Sequence, residues 1–118
     1  MIHFLWLPAY RPPTLNQLMR GTLKARIRLA KECKQFVGAY ARMQGTPPAT
    51  GRRRVSLTIV LKGRQQEADV DAYFKSLLDA LVHHGLLLSD RVEHCRLGDV
   101  THTRLGVPGT RVYLEDLP

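Results

Sequence analysis

The sequence predicts an α/β domain in two layers, two helices packed on one mixed β-sheet, in the order β-α-β-α-β-β across residues 1–118. Three observations predict it. Two segments carry apolar residues at helical spacing, and four shorter ones read as strands. The chain also has enough apolar material for one core, with 44% hydrophobic and 24% charged residues. A domain of this size buries roughly two-thirds of its unfolded surface, so it needs neither a disulfide nor a structural metal to fold. The same composition excludes a disordered chain, a collagen-like chain and a repeat array.

Residues 2–7 read as a buried strand closed by Pro8, with Phe4 and Trp6 expected in the core. Pro12-Pro13 marks a turn, and Thr14 with Gln17 three residues on fits a capping box. A long helix is expected over residues 15–42. Met19, Leu23, Ile27, Ala30, Cys33 and Val37 give it one apolar face, and Arg20, Lys24, Arg28 and Lys31 a basic stripe beside it. After a Gly/Pro/Thr loop and Arg52-Arg53-Arg54, residues 55–61 alternate as a strand does. Residues 62–68 form a polar connection. Asp69 stands at the N-cap of a second helix whose buried face is Val70, Phe74, Leu77, Leu78, Leu81 and Val82. His83-His84-Gly85 ends it, with Gly85 just past the last turn. Residues 92–104 are strand-like, interrupted at Gly98-Asp99 by a bulge or turn. Residues 106–109 turn the chain into a last strand over 110–114.

No apolar run approaches the about 20 residues that span a bilayer, so no membrane association is expected. The first strand lacks the basic flank and small-residue cleavage site of a signal peptide, and the cytoplasm is the expected compartment. Cys33 and Cys95 sit in no C-x-x-C spacing and read as reduced, partly buried thiols.

Charge is unevenly placed. Residues 1–64 hold thirteen Lys and Arg against one acid, Glu32, while residues 65–118 hold five against nine acids. A basic half of that kind points to a polyanionic partner. The carboxylates of the other half then need a reading.

Asp69-Val70-Asp71 places two carboxylates at a helix start. Structurally, Asp residues cap helices and complement the dipole there, and Lys75 completes an ordinary i, i+4 ion pair with Asp71. Chemically, the same pair suits Mg²⁺, a hard cation that takes oxygen ligands together with waters and phosphate oxygens. Lys75 would then stand close enough to steady a phosphate or orient a water. The second helix rises roughly 1.5 Å per residue, and the five residues after Gly85, if extended, return roughly 17 Å. Asp90 is therefore a candidate third ligand.

Asp69-Val70-Asp71, Lys75, Leu78-Asp79-Ala80-Leu81, Gly85 and Asp90 together resemble the RusA family of Holliday junction resolvases. Pro12-Pro13-Thr14-Leu15-Asn16 resembles that family's N-terminal P-P-S-x-N stretch. The resemblance implies metal ligands at Asp69, Asp71 and Asp90, and a catalytic lysine at Lys75. It also implies Mg²⁺ (or Mn²⁺) dependence and a homodimer that nicks two opposed strands of a four-way DNA junction. Ala72 stands where the family has Asn, and Ser89 where it has the first Asp of an acidic pair. Glu67 is the nearby carboxylate that would compensate.

An acidic site that receives a polyanion needs cations around it. Arg52, Arg53, Arg54, Lys62, Arg64, Lys24 and Arg28 are the candidate phosphate contacts. His83 and His84 suit a helix C-terminus, and Asp79 a structural hydrogen bond or ion pair. His94, Cys95 and His102 show no zinc spacing, and no P-loop or Ser/His/Asp arrangement is present. The expected activity is metal-dependent hydrolysis of branched DNA. The alternatives are a DNA-binding protein of the same fold whose chemistry has decayed, and an RNA-binding accessory protein.

Overall fold

The computed structural model describes the backbone of residues 1–118 and every side chain except those of Val70 and Asp71. Strand β1 (Ile2–Pro8) is followed by helices α1 (Leu15–Arg20) and α2 (Leu23–Gln44) and strand β2 (Arg53–Val60). A one-turn 3-10 helix (Val70–Tyr73), helix α3 (Phe74–His83), strand β3 (Cys95–Thr103) and strand β4 (Gly109–Asp116) complete the chain. The expected mixed sheet is present, in the order β1-β4-β2-β3. Strand β4 is antiparallel to both β1 and β2, and β2 and β3 are parallel. A parallel pair needs a crossover, and α3 supplies it.

The core is one cluster. Leu5 and Leu7 of β1, Val55, Leu57 and Ile59 of β2, and Val112 and Leu114 of β4 meet Cys33 and Val37 of α2 and Phe74, Leu77 and Leu81 of α3. Alternation along β1 puts Leu5 and Leu7 inside and leaves Phe4 58% exposed on the other face. Phe4 is therefore not a core residue. It stacks edge-on against Tyr113 at 5.4 Å between ring centres.

The first predicted helix is two helices. The capping box forms as expected: the Gln17 amide N–H donates to Thr14 Oγ1 at 3.2 Å, and the Thr14 N–H to Gln17 Oε1 at 2.8 Å. Helix α1 ends after six residues because Gly21 takes an extended conformation, and Thr22 caps a new helix by accepting from the Ala25 N–H at 3.1 Å. Gly has low helix propensity and Thr is a strong cap, so a break is cheap here. Only Cys33, Val37, Gly38 and Ala41 of α2 are buried, and Met19, Leu23 and Ile27 are 72%, 67% and 61% exposed. The periodic stripe is present, but its first half stays exposed rather than entering the core.

Other local expectations have clear causes. Leu97 pairs with Val55 and Val100 with Leu57, so Gly98 and Asp99 together oppose Ser56 in a bulge. A Cβ at Gly98 would collide with the Ser56 hydroxyl. Helix α3 closes with Gly85 at φ 75°, with bonds from the Gly85 N–H to the Val82 carbonyl and from the Leu86 N–H to the Leu81 carbonyl. His84 does more than complement a dipole. Its Nε2 donates to the Lys34 carbonyl at 2.7 Å, and Gly38 leaves room for the ring. Gln44, at the end of α2, closes the free edge of β1 by binding both the Trp6 N–H (2.8 Å) and the Trp6 carbonyl (2.7 Å). Cys33 and Cys95 are both free and buried, and burial pushes the Cys33 thiol up to about 11. No helix among the described residues is long and apolar enough to cross a membrane.

Candidate metal centre and nucleic-acid interface

The segment between β2 and the 3-10 turn, a strap over residues 61–69, carries Lys62, Arg64, Glu67 and Asp69, all exposed. It has no regular structure of its own, yet it is tied at nearly every residue. The Arg104 guanidinium donates to the Gly63 carbonyl (2.8 Å) and the Gln65 carbonyl (2.5 Å). Arg11 donates to the Gln66 carbonyl at 3.0 Å, and the Ala68 N–H to the Tyr73 hydroxyl at 3.2 Å. Asp69 then opens the 3-10 turn, its carbonyl accepting from the Ala72 N–H at 2.9 Å. The α-helix itself starts only at Phe74, with Tyr73 at its cap position and no side-chain cap bond. Asp69 is therefore one 3-10 turn ahead of the helix rather than its N-cap. Lys75, in the first turn of α3, is exposed. The side chain of Asp71 lies outside the described residues.

Asp69 and Glu67 line an open cavity of about 680 Å³ together with Arg11, Asn16 and Ala72. Thr14, Leu15 and Asn16 of the Pro-Pro stretch and Asp69 and Ala72 of the Asp-x-Asp stretch thus line one cavity. Pro12, Pro13 and Thr14 are buried, and Asn16 follows them in the first turn of α1.

Asp90 does not join them. It lines a separate cavity of about 340 Å³ with Lys34, Asp79, His83 and Ser89. The extended return expected after Gly85 is replaced by turns, since Leu86 and Leu87, 3% and 1% exposed, sink into the core and fold the loop on itself. Asp79, Val82 and His83, which line the cavity with Asp90, belong to the second half of α3, so Asp90 lies toward the far end of that helix. Ser89 is engaged locally, its hydroxyl 2.7 Å from His94 Nδ1 and accepting from the Arg91 N–H at 3.2 Å. Among the described residues, no three His, Cys, Asp or Glu side chains gather as a metal-binding group. A scan against protein-family models and a search of curated protein sequences both gave no match to this chain.

The candidate phosphate contacts divide sharply. Arg53 is 2% exposed and spent inside the molecule: Nε donates to Asp116 Oδ1 at 2.7 Å, Nη1 to the Pro47 and Leu86 carbonyls at 3.0 Å, and Nη2 to the Pro48 carbonyl at 3.3 Å. It cannot grip DNA, because strand alternation turns it into the core between Arg52 and Arg54. Arg54 pairs with Glu115 at 3.2 Å while remaining 38% exposed. Lys24, Arg28, Lys62 and Arg64 are exposed, and Arg28 has only a loose 4.0 Å contact to Glu32.

Sequence reasoning missed Arg11, Tyr73, His102 and Arg104, the residues that hold the strap. His102 Nε2 is 2.8 Å from the Tyr73 hydroxyl and its Nδ1 3.2 Å from Glu67 Oε1. Nothing in the local sequence around His102 or Arg104 marks them, since their partners lie about 30 to 40 residues away along the chain.

Proposed function

We propose that this chain is a divalent-cation-dependent endonuclease of branched DNA, of the RusA type, acting in the cytoplasm as a homodimer. The observation that carries the reading is the shared cavity: Asn16 from the Pro-Pro stretch, and Glu67 and Asp69 from the strap, wall one opening with exposed Arg64 and Lys62 on the same segment. Carboxylate oxygens there fit a hard cation such as Mg²⁺ or Mn²⁺ by donor chemistry. Asp69 and Asp71 would hold the ion. Once bound, it would lower the pKa of a water and offset charge on the reacting phosphate. The remaining work falls to the chain's own groups. The Lys75 ammonium, free of burial, stabilises phosphate charge electrostatically. Asn16 offers a neutral donor at the cavity edge. Lys62 and Arg64 hold flanking phosphates, with Lys24 and Arg28 on α2 as a second contact line; such contacts position the backbone without reading sequence.

Two opposed nicks require two sites on one substrate, and a two-fold dimer matches the two-fold symmetry of a junction. The outward face of the sheet, where Phe4 is exposed beside Tyr113, is the apolar surface assigned to that contact.

A second reading, a non-catalytic DNA-binding protein of this fold, is favoured by the separation of Asp90 from Asp69 and by Ala72 and Ser89. Cleavage of a synthetic four-way junction decides between them. Under the first reading the chain cuts with Mg²⁺ or Mn²⁺, and Asp69→Asn and Asp71→Asn bind the junction but do not cut. A folded chain that binds the junction and leaves it intact with either metal supports the second.

A further inference from the structure

We propose that Tyr73 and His102 are positioning residues for the acidic strap, fixing Glu67 and Asp69 at the cavity through a hydrogen-bond chain that starts at the buried Tyr73. The inference rests on the reading above for what the strap does, and on the geometry alone for how it is held.

Tyr73 is fully buried, and its hydroxyl meets both the Ala68 N–H (3.2 Å) and His102 Nε2 (2.8 Å). The His102 side chain is 7% exposed, and its other nitrogen faces the Glu67 carboxylate at 3.2 Å. Of the two singly protonated tautomers of the His102 ring, one satisfies all three contacts. In that tautomer Nδ1–H donates to Glu67. Nε2 then accepts from the Tyr73 O–H, and the Tyr73 oxygen accepts from the Ala68 N–H. With the proton on Nε2 instead, the Nδ1 lone pair would face a carboxylate and the buried Tyr73 hydroxyl would lose its acceptor.

The chain runs from the crossover (Tyr73) to the edge strand β3 (His102) and back to the strap. It therefore holds a segment with no regular structure from two elements at once. Glu67 is 71% exposed, so its bond to His102 buries almost none of it and leaves it facing the cavity that Asp69 also lines. Arg11 reinforces the arrangement, bonding the Gln66 carbonyl while its guanidinium lies 5.8 Å from the centre of the Tyr73 ring. The backbone bond at Ala68 lies between the two carboxylates, and the His102 contact fixes Glu67 on one side of it.

The test uses the full chain with Tyr73→Phe, which keeps the ring and removes one oxygen, and His102→Gln, whose amide oxygen replaces the Nε2 acceptor. Three quantities are read: amide hydrogen exchange across the strap, Mn²⁺ binding to the free chain, and junction affinity without metal. In Tyr73→Phe the Ala68 amide should exchange about tenfold faster, the scale of one lost hydrogen bond, with β2 and β4 amides unchanged. The Mn²⁺ midpoint should rise about tenfold, as for other groups that orient ligands from behind, with metal-free junction affinity unchanged. His102→Gln should retain most of the Ala68 protection. Unchanged Ala68 exchange in Tyr73→Phe overturns the proposal. Faster exchange with an unmoved Mn²⁺ midpoint also overturns it, showing a purely structural bond. If the wild-type chain takes no Mn²⁺ at all, the metal-site reading falls, and exchange at Ala68 alone decides whether the pair fixes the strap.

Discussion

Arg53 on β2 and Asp116 on β4 lie directly opposite in the sheet register and meet at 2.7 Å, with Arg53 2% exposed. The guanidinium also ties the Pro47 and Pro48 loop and the Leu86 turn to the end of the sheet. One residue of an apparent DNA-binding triplet is thus a structural rivet.

Arg53→Leu is expected to lower stability by about 3 kcal/mol, since it strips three carbonyls and a carboxylate of their partner. The salt dependence of DNA binding should not change. The paired change Arg52→Ala with Arg54→Ala should behave the other way. It should leave the urea midpoint nearly unmoved and flatten the log–log salt slope by up to about two units. A flatter slope in Arg53→Leu, with stability intact, would return Arg53 to the DNA face.

Asp116 predicts the acid limb of stability. Hydrogen bonds from Arg53, then from His3, hold its carboxyl below the usual range. A depressed folded-state value means that the stabilisation is complete above the unfolded value, about 3.9, and is lost as pH falls through the folded one. Urea midpoints measured from pH 5 downward should fall most steeply below about pH 4. Asp116→Asn should be less stable at neutral pH and show a shallower acid limb. A variant that keeps the wild-type acid slope would place the titration elsewhere.

Asp90→Asn separates the two cavities. If Asp69 and Asp71 suffice for the ion, this variant keeps its metal affinity and most of its cutting rate. Loss of both, as in Asp69→Asn, would mean that the loop after α3 rearranges to bring Asp90 to the strap when metal and DNA bind.

Gln44→Ala should open the β1 edge. Two hydrogen bonds to Trp6 disappear, at about 1 kcal/mol, and the freed strand becomes competent to pair with another chain. Increased concentration-dependent aggregation by light scattering, with the core still folded, is the expected result.

Phe4→Asp tests the proposed dimer surface. Its side chain is outside the core, so the fold should survive. Sedimentation should fall from twice the mass of one chain to the monomer, and junction cutting should change from paired to single nicks. A wild-type chain that is monomeric both free and on DNA would remove the paired mechanism.

Where the determining contact was local, the sequence sufficed. The Thr14–Gln17 capping box, the Gly85 helix stop, the bulge at Gly98 and the alternation of residues 55–61 each follow from backbone sterics and hydrogen bonding within a few residues. The helix break at Gly21-Thr22 was legible too, in a glycine followed by a capping residue, but the apolar period running through it pointed the other way. The candidate site was half legible: Asp69, Asp71 and Lys75 stand out by spacing, and the Pro12–Asn16 stretch by its resemblance to a family pattern. What gathers around them was decided by the tertiary structure. The insertion of β4 between β1 and β2 puts Asp116 across from Arg53, and the parallel return of β3 beside β2 carries His102 and Arg104 to the strap. The burial of Leu86 and Leu87 turns Asp90 toward Asp79. These outcomes depend on which strands become neighbours and which side chains fill the core. Both are set by the whole chain closing at once, so no short window of sequence contains them.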